Sequence, residues 1–114
     1  MRDVTKSDKL ARIRQLNDQL RQHFTGGKVM LTAAVAALDE ETKAKVLSAV
    51  RTFDQFNEDN DPHHEHDFVA VEVEGRRYFA KTDYYDKTME YGSEDPSDPA
   101  VTSRVLTIMN AGDY

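Results

Sequence analysis

Phe68-Val69-Ala70-Val71-Glu72-Val73, Glu74-Gly75, Arg76-Arg77-Tyr78-Phe79-Ala80-Lys81-Thr82 is the stretch whose reading decides the fold. Two runs rich in β-branched and aromatic residues flank a two-residue link ending in glycine, the pattern of a tight antiparallel hairpin. Counting outward from the link sets Val73 opposite Arg76, Val71 opposite Tyr78 and Val69 opposite Ala80. The other face pairs Glu72 with Arg77, Ala70 with Phe79 and Phe68 with Lys81. The Glu72–Arg77 match favours this register, and a one-residue slip would mix the two faces. An apolar face of this kind needs cover, so helices are expected to pack on it.

Downstream, Asp83-Tyr84-Tyr85-Asp86-Lys87 leads into Thr88-Met89-Glu90-Tyr91, which extends the hairpin into an antiparallel meander with a third strand. A turn at Asp86-Lys87 sets Asp83 against Glu90, a like-charge pair that needs protonation, a cation or screening by Lys81. Residues 92–99 read as a loop. Asp98 followed by Pro99 marks a helix start, with Val101, Val105 and Ile108 as its apolar stripe and Gly112 as its stop. Arg104 falls in the middle of that helix. An unpaired guanidinium is costly there, so it is expected to reach the helix edge or to pair with a carboxylate.

Upstream, Leu10, Ile13, Leu16 or Asn17, and Leu20 recur at helical steps, and Thr5 with Asp8 forms a capping box, so residues 5–23 read as an amphipathic helix closed by Gly26-Gly27. Lys28-Val29-Met30-Leu31-Thr32 reads as a short buried strand. Ala33 to Leu38 reads as a helical turn. Asp39 caps a helix from about 40 to 55, with Glu40 and Glu41 where the dipole favours anions. Its face is Val46, Leu47, Val50 and Phe53, and Phe53 and Phe56 read as core. The expected architecture is one α+β domain over residues 1–114 with residues 1–6 frayed: an antiparallel sheet of three to four strands, helices packed on one face, in the order α-β-α-β-β-β-α.

Between the second helix and the hairpin, Asn57 to Asp67 packs three of the four histidines and five carboxylates into eleven residues. Residues 1–52 hold ten Lys/Arg and six Asp/Glu, a balance of +4; residues 53–114 hold five and fifteen, a balance of −10. The net charge of −6 disfavours nucleic-acid binding, which is driven largely by phosphate neutralisation. Only Lys9, Arg12, Arg14 and Arg21 on the first helix offer a weak site of that kind. The absence of cysteine excludes disulfides and thiolate metal sites and fits a reducing cytoplasm. No apolar run approaches the roughly 20 residues a membrane span requires, and Met1 to Lys6 is not followed by the apolar segment of a secretory leader.

His64-Glu65-His66-Asp67 invites a metal reading, because imidazole and carboxylate suit zinc, manganese or iron. Alternation along a strand would bring His64 and His66 together, with Asp67 as a third ligand. The spacing fits neither the helical two-histidine zinc motif nor a calcium loop. The alternative is a solvated loop in which His66 or Asp67 bonds to backbone at the strand entry.

The blocks Thr25-Gly26-Gly27-Lys28-Val29, Val50-Arg51-Thr52-Phe53-Asp54, Asn60-Asp61-Pro62, Glu65-His66-Asp67-Phe68, Asp83-Tyr84-Tyr85-Asp86, Gly92-Ser93-Glu94-Asp95-Pro96 and Val101 to Met109 together resemble a domain-of-unknown-function family of small bacterial proteins, mainly alphaproteobacterial and often borne on plasmids or phages. The resemblance runs from about residue 12 to 114. It implies a cytoplasmic accessory protein of mobile elements and carries over no catalytic residues. Where the family pattern has an aromatic residue and glycine after Asn-Asp-Pro, this chain has His63-His64, whereas His66 matches. The expected function is thus a small acidic protein-binding module acting on a host defence or regulatory complex, without a cofactor, its partner offering a basic surface. Candidate binding residues are Asp61, Glu65, His66, Asp67, Asp83, Tyr84, Asp86, Glu94, Asp95 and Arg104. The alternative is a metal-dependent enzyme built on residues 63–67.

Overall fold

The structure, a computed structural model, describes residues 5–114; for residues 1–4 the expected fraying lies outside the described residues. Thr5 caps α1 (Lys6–His23), its hydroxyl accepting from the Asp8 amide while the Asp8 carboxylate accepts from the Thr5 amide. The helix closes on Phe24, whose left-handed backbone (φ 56°) sends its amide to the Leu20 carbonyl. Neither glycine after it is therefore the cap. Gly27 is instead a point of close approach, since a Cβ there would run into the Arg104 carbonyl and the Leu20 side chain. β1 (Lys28–Leu31), α2 (Ala33–Ala36) and α3 (Glu40–Thr52) follow, α3 capped by Asp39 through the Thr42 amide at 2.7 Å.

β2 (Phe68–Val73) and β3 (Arg76–Tyr85) form the hairpin in the register read from the sequence, pair for pair. Glu74 (φ 53°) and Gly75 (φ 79°) both take positive φ, as a primed two-residue turn demands. Beyond the hairpin the expectation fails. β3 continues to Tyr85, and residues 88–91 form no strand but a turn gathered on the Asp86 carboxylate, which accepts from the Thr88 hydroxyl (2.8 Å) and the Glu90 amide (3.2 Å). Asp83 and Glu90 do not face each other; Asp83 stands opposite Val105 and pairs with Lys81 at 3.3 Å.

The expected last helix is β4 (Ser103–Asn110), followed by a 3-10 turn over Ala111–Asp113. Asp98 and Pro99 belong to a tight turn in which the Val101 amide reaches the Asp98 carbonyl at 3.2 Å. Five of the six residues 104–109 are buried, because β4 is an inner strand covered on both faces. A strand of that kind reads as a near-continuous apolar run, here Val105-Leu106 and Ile108-Met109 around Thr107, in which helical spacings occur by accident. The sheet order is β1-β4-β3-β2. The α+β class and a count of four strands hold, but β1 joins β4 in parallel, so the sheet is mixed.

All three helices contribute to one core on one face of this sheet. Leu20, Val35, Val46 and Val50 meet Val69, Val73, Tyr78, Ala80, Leu106 and Ile108, with Phe53 and Phe56 packed against them. On the opposite face Tyr114 stands edge-on to Phe68 and Phe79. Toward β1 that face is open, with Met30 52% exposed. Among the described residues no helix is long and apolar enough to cross a membrane.

Candidate functional site

Tyr84 and Arg104 are register partners on β3 and β4, on the helix-facing side, two positions beyond the Thr82–Leu106 pair. There the apolar layer gives way to a buried polar hub under α1. Arg104 is 3% exposed, and its Nε donates to the Asn17 side-chain carbonyl at 2.7 Å. Its terminal nitrogen donates to the Pro96 carbonyl, and its guanidinium carbon lies 5.1 Å from the Tyr84 ring centre. The Asn17 amide, wholly buried, donates to the Tyr84 hydroxyl at 2.8 Å and to the Glu65 carbonyl at 3.0 Å. Tyr84 donates in turn to the Glu65 carboxylate at 2.6 Å.

Burial, and then the bond to Glu65, hold the Tyr84 hydroxyl far above its ordinary range, so it is a neutral donor and not a base. Desolvation works on Arg104 in the opposite sense, lowering its pKa, with the Glu65 carboxylate opposing that shift. The expected carboxylate partner of Arg104 is replaced by an amide oxygen and a backbone carbonyl. Planar, forked donors suit such a pair of separate acceptors.

His66 forms the second half of the hub. It sits in the left-handed region (φ 56°), which turns its ring onto Phe56 in a stack at 3.7 Å. Its Nδ1 meets the Asp18 carboxylate at 2.8 Å and its Nε2 faces Asp61 at 3.5 Å, while Asp61 also accepts the His66 amide at 3.0 Å. Asp18 further accepts from Arg21 at 3.1 Å, and Arg21 continues to the Phe53 carbonyl. Arg21 is thus buried, not part of a solvated basic face; its Nε alone finds no partner among the described residues.

Of the residues singled out from sequence, Asp61, Glu65, His66, Tyr84 and Arg104 converge here. Asp67 is half-buried beside them; burial first, then the neighbouring Glu65 charge, raises its carboxyl above the ordinary 3.8, and its carbonyl accepts the Thr82 amide. His64 is exposed and contributes its carbonyl to Arg14 at 3.0 Å. Asp83 lies on the other face, Glu94 is exposed, and Asp86 and Asp95 each organise their own turn, their carboxyls lowered chiefly by the Thr88 and Ser97 hydroxyls. The described residues gather no group of three or more His, Asp or Glu side chains placed to hold a metal. Asn17, Asp18, Arg21 and Phe56 complete the hub; the sequence reads Asn17 as a stripe position, Arg21 as part of a weak nucleic-acid site and Phe56 as a core residue, and does not single out Asp18. The one signal for them in the sequence is Asn17, a polar residue at a stripe position of an otherwise apolar helix face.

The arrangement fastens four segments, α1, residues 61–67, β3 and β4, with donors and acceptors matched almost throughout. No curated protein and no solved structure matches the chain. Residues 31–113 match the family described as "Protein of unknown function (DUF3768)", which takes in every hub residue except those on α1, and the chain belongs to that family.

Proposed function

We propose that the protein is a non-enzymatic, acidic binding module that docks a basic surface of a partner protein in the cytoplasm. The observation that carries this reading is the direction of its charges. Three of the five Lys/Arg of α1 are turned onto the protein itself: Lys9 to Asp95 (3.4 Å), Arg14 to the His64 carbonyl, Arg21 into the hub. Asp54, Glu58, Asp59, Glu90 and Glu94, on the connections that flank the sheet, are exposed and enter no ion pair among the described residues. A surface of one sign favours fast encounter with a complementary one. The same inward turn of Lys9, Arg14 and Arg21 argues against a nucleic-acid surface on α1. The mobile-element association implied by the resemblance makes a host defence or regulatory complex the class of partner we propose.

The test is capture from host lysate on immobilised protein at about 0.05 M salt, with release near 0.5 M, where the screening length falls to a few ångströms. The combined variant Asp54→Asn, Glu58→Gln, Asp59→Asn is expected to lose the captured partner while keeping its fold. Equal capture by the variant sinks the reading.

A further inference from the structure

β1 ends the sheet, and among the described residues no backbone hydrogen bond from another element reaches its outer side. The Thr32 amide donates to the Ile108 carbonyl at 3.1 Å, and Lys28 to Leu31 run in register with Val105 to Ile108. Alternation then turns the amides and carbonyls of Lys28, Met30 and Thr32 toward β4, and those of Val29 and Leu31 outward. Val29 and Leu31 pack their side chains against the core, while Met30, on the open face, is 52% exposed and shares a groove with Met89, Tyr85 and Val105.

We propose that a second copy of this chain docks on this edge, its β1 antiparallel to the first about a two-fold axis at Met30, so that two four-stranded sheets merge into one. Opposed side chains of an antiparallel pair share a face, which limits the registers a two-fold axis allows. The register centred on Met30 sets Val29 opposite the partner's Leu31 and Lys28 opposite the partner's Thr32. Val29 and Leu31 are the residues whose amide and carbonyl point outward, so each of these pairs exchanges two hydrogen bonds. Met30 meets the partner's Met30 at the closer, non-bonded position on the axis.

Charge complementarity selects the same register. The Thr32 hydroxyl holds the Asp113 carboxylate at 3.4 Å. Lys28 is exposed and enters no ion pair among the described residues. Opposite the partner's Thr32 it lies beside the partner's Asp113, and symmetry makes that pair twice. β2, the other edge strand, is flanked or occupied by Asp67, Glu72 and Glu74, and pairing it with itself crowds carboxylates in a chain already at −6. The residues just beyond β1 are Gly26, Gly27, Ala33 and Ala34, too small to hold the two edges apart.

The full chain is tested by sedimentation and light scattering over about 5–200 µM, where an association of this kind becomes concentration-dependent; the expected species has twice the 13.0 kDa chain mass. Met30→Lys, which sets cation against cation on the axis, is expected to raise the dissociation constant at least about tenfold, with the monomer's circular dichroism unchanged. Lys28→Glu weakens the dimer, and adding Asp113→Lys restores it to within about threefold. Amide exchange at Val29 and Leu31 is expected to slow as concentration rises, while Met30, bonded within the monomer, is protected throughout. A chain that stays monomeric at the highest concentration, a dimer indifferent to Met30→Lys, or exchange at Val29 and Leu31 independent of concentration overturns the proposal.

Discussion

Tyr84 accepts from Asn17 and donates to Glu65, so one hydroxyl joins α1 to the loop before β2. Removing it leaves a half-buried carboxylate and a buried amide each short of a partner. Tyr84→Phe is therefore expected to cost about 1–2 kcal/mol and Asn17→Ala about 3 kcal/mol in urea unfolding. The two share their bonds, so the double variant is expected to fall short of the sum by about 1 kcal/mol; strict additivity would mean the hub is not a unit. Asp67 is expected to respond in the opposite direction. Its folded pKa is raised by burial, so the native state binds its proton more tightly than the unfolded chain does. That contribution is fully present below the ordinary 3.8 and is lost as pH rises through the folded value. At neutral pH the charged group is a liability. Asp67→Asn is expected to raise the Tm at pH 7 by about 2 °C, with the gain vanishing as the pH falls below about 4. A variant that melts lower at pH 7 would show that the carboxylate is needed for more than its charge.

At the scale of elements, the hairpin was legible because its signals are local: alternation, a glycine link and an oppositely charged pair all fall within fifteen residues. β4 was not, because what makes it a strand is its place between β1 and β3, and neither neighbour is adjacent in the chain. The same holds for the hub. Arg104 could be recognised as a guanidinium in need of a partner, but its partner Asn17 lies 87 positions away. The close approach at Gly27 is equally invisible in sequence, where two glycines after a helix read as its stop. Gly27→Ala drives a methyl group toward the Arg104 carbonyl, backbone that cannot step aside without disturbing β4. It is expected to lower stability by about 1–3 kcal/mol, whereas Gly26→Ala, with only the flexible Gln19 side chain nearby, pays for its positive φ (86°) alone. Denaturant midpoints of the two variants separate close approach from backbone conformation. For α3 the Asp39 cap has the ordinary sign: its carboxyl is lowered by the Thr42 amide, so its support is present above 3.8 and is lost as pH falls.

For the whole molecule, the parallel pairing of β1 with β4 joins Lys28 to Val105 and closes the chain on itself. Such distant pairing is made against loop-closure entropy. The hub holds the same closure from the other side, since Asn17 and Asp18 on α1 reach Arg104, Tyr84, Glu65 and His66. The family match spans residues 31–113 and leaves α1 out. Yet Leu20 is fully buried in the core and Leu16 nearly so, and Asn17 answers a guanidinium that is itself 3% exposed. A chain beginning at residue 25 would strip Arg104 of its Nε acceptor and uncover both the polar hub and the core beneath Leu20. Losing a buried leucine costs about 2–5 kcal/mol and α1 carries two, Leu16 and Leu20, a sum comparable to the entire stability of a domain this size. The expected outcome is that residues 25–114 alone do not fold, read by loss of amide dispersion in a two-dimensional spectrum. Adding α1 as a separate peptide is expected to restore it at sufficient concentration. A truncated chain with native dispersion would show that the matched region is self-sufficient and that α1 is an accessory to it.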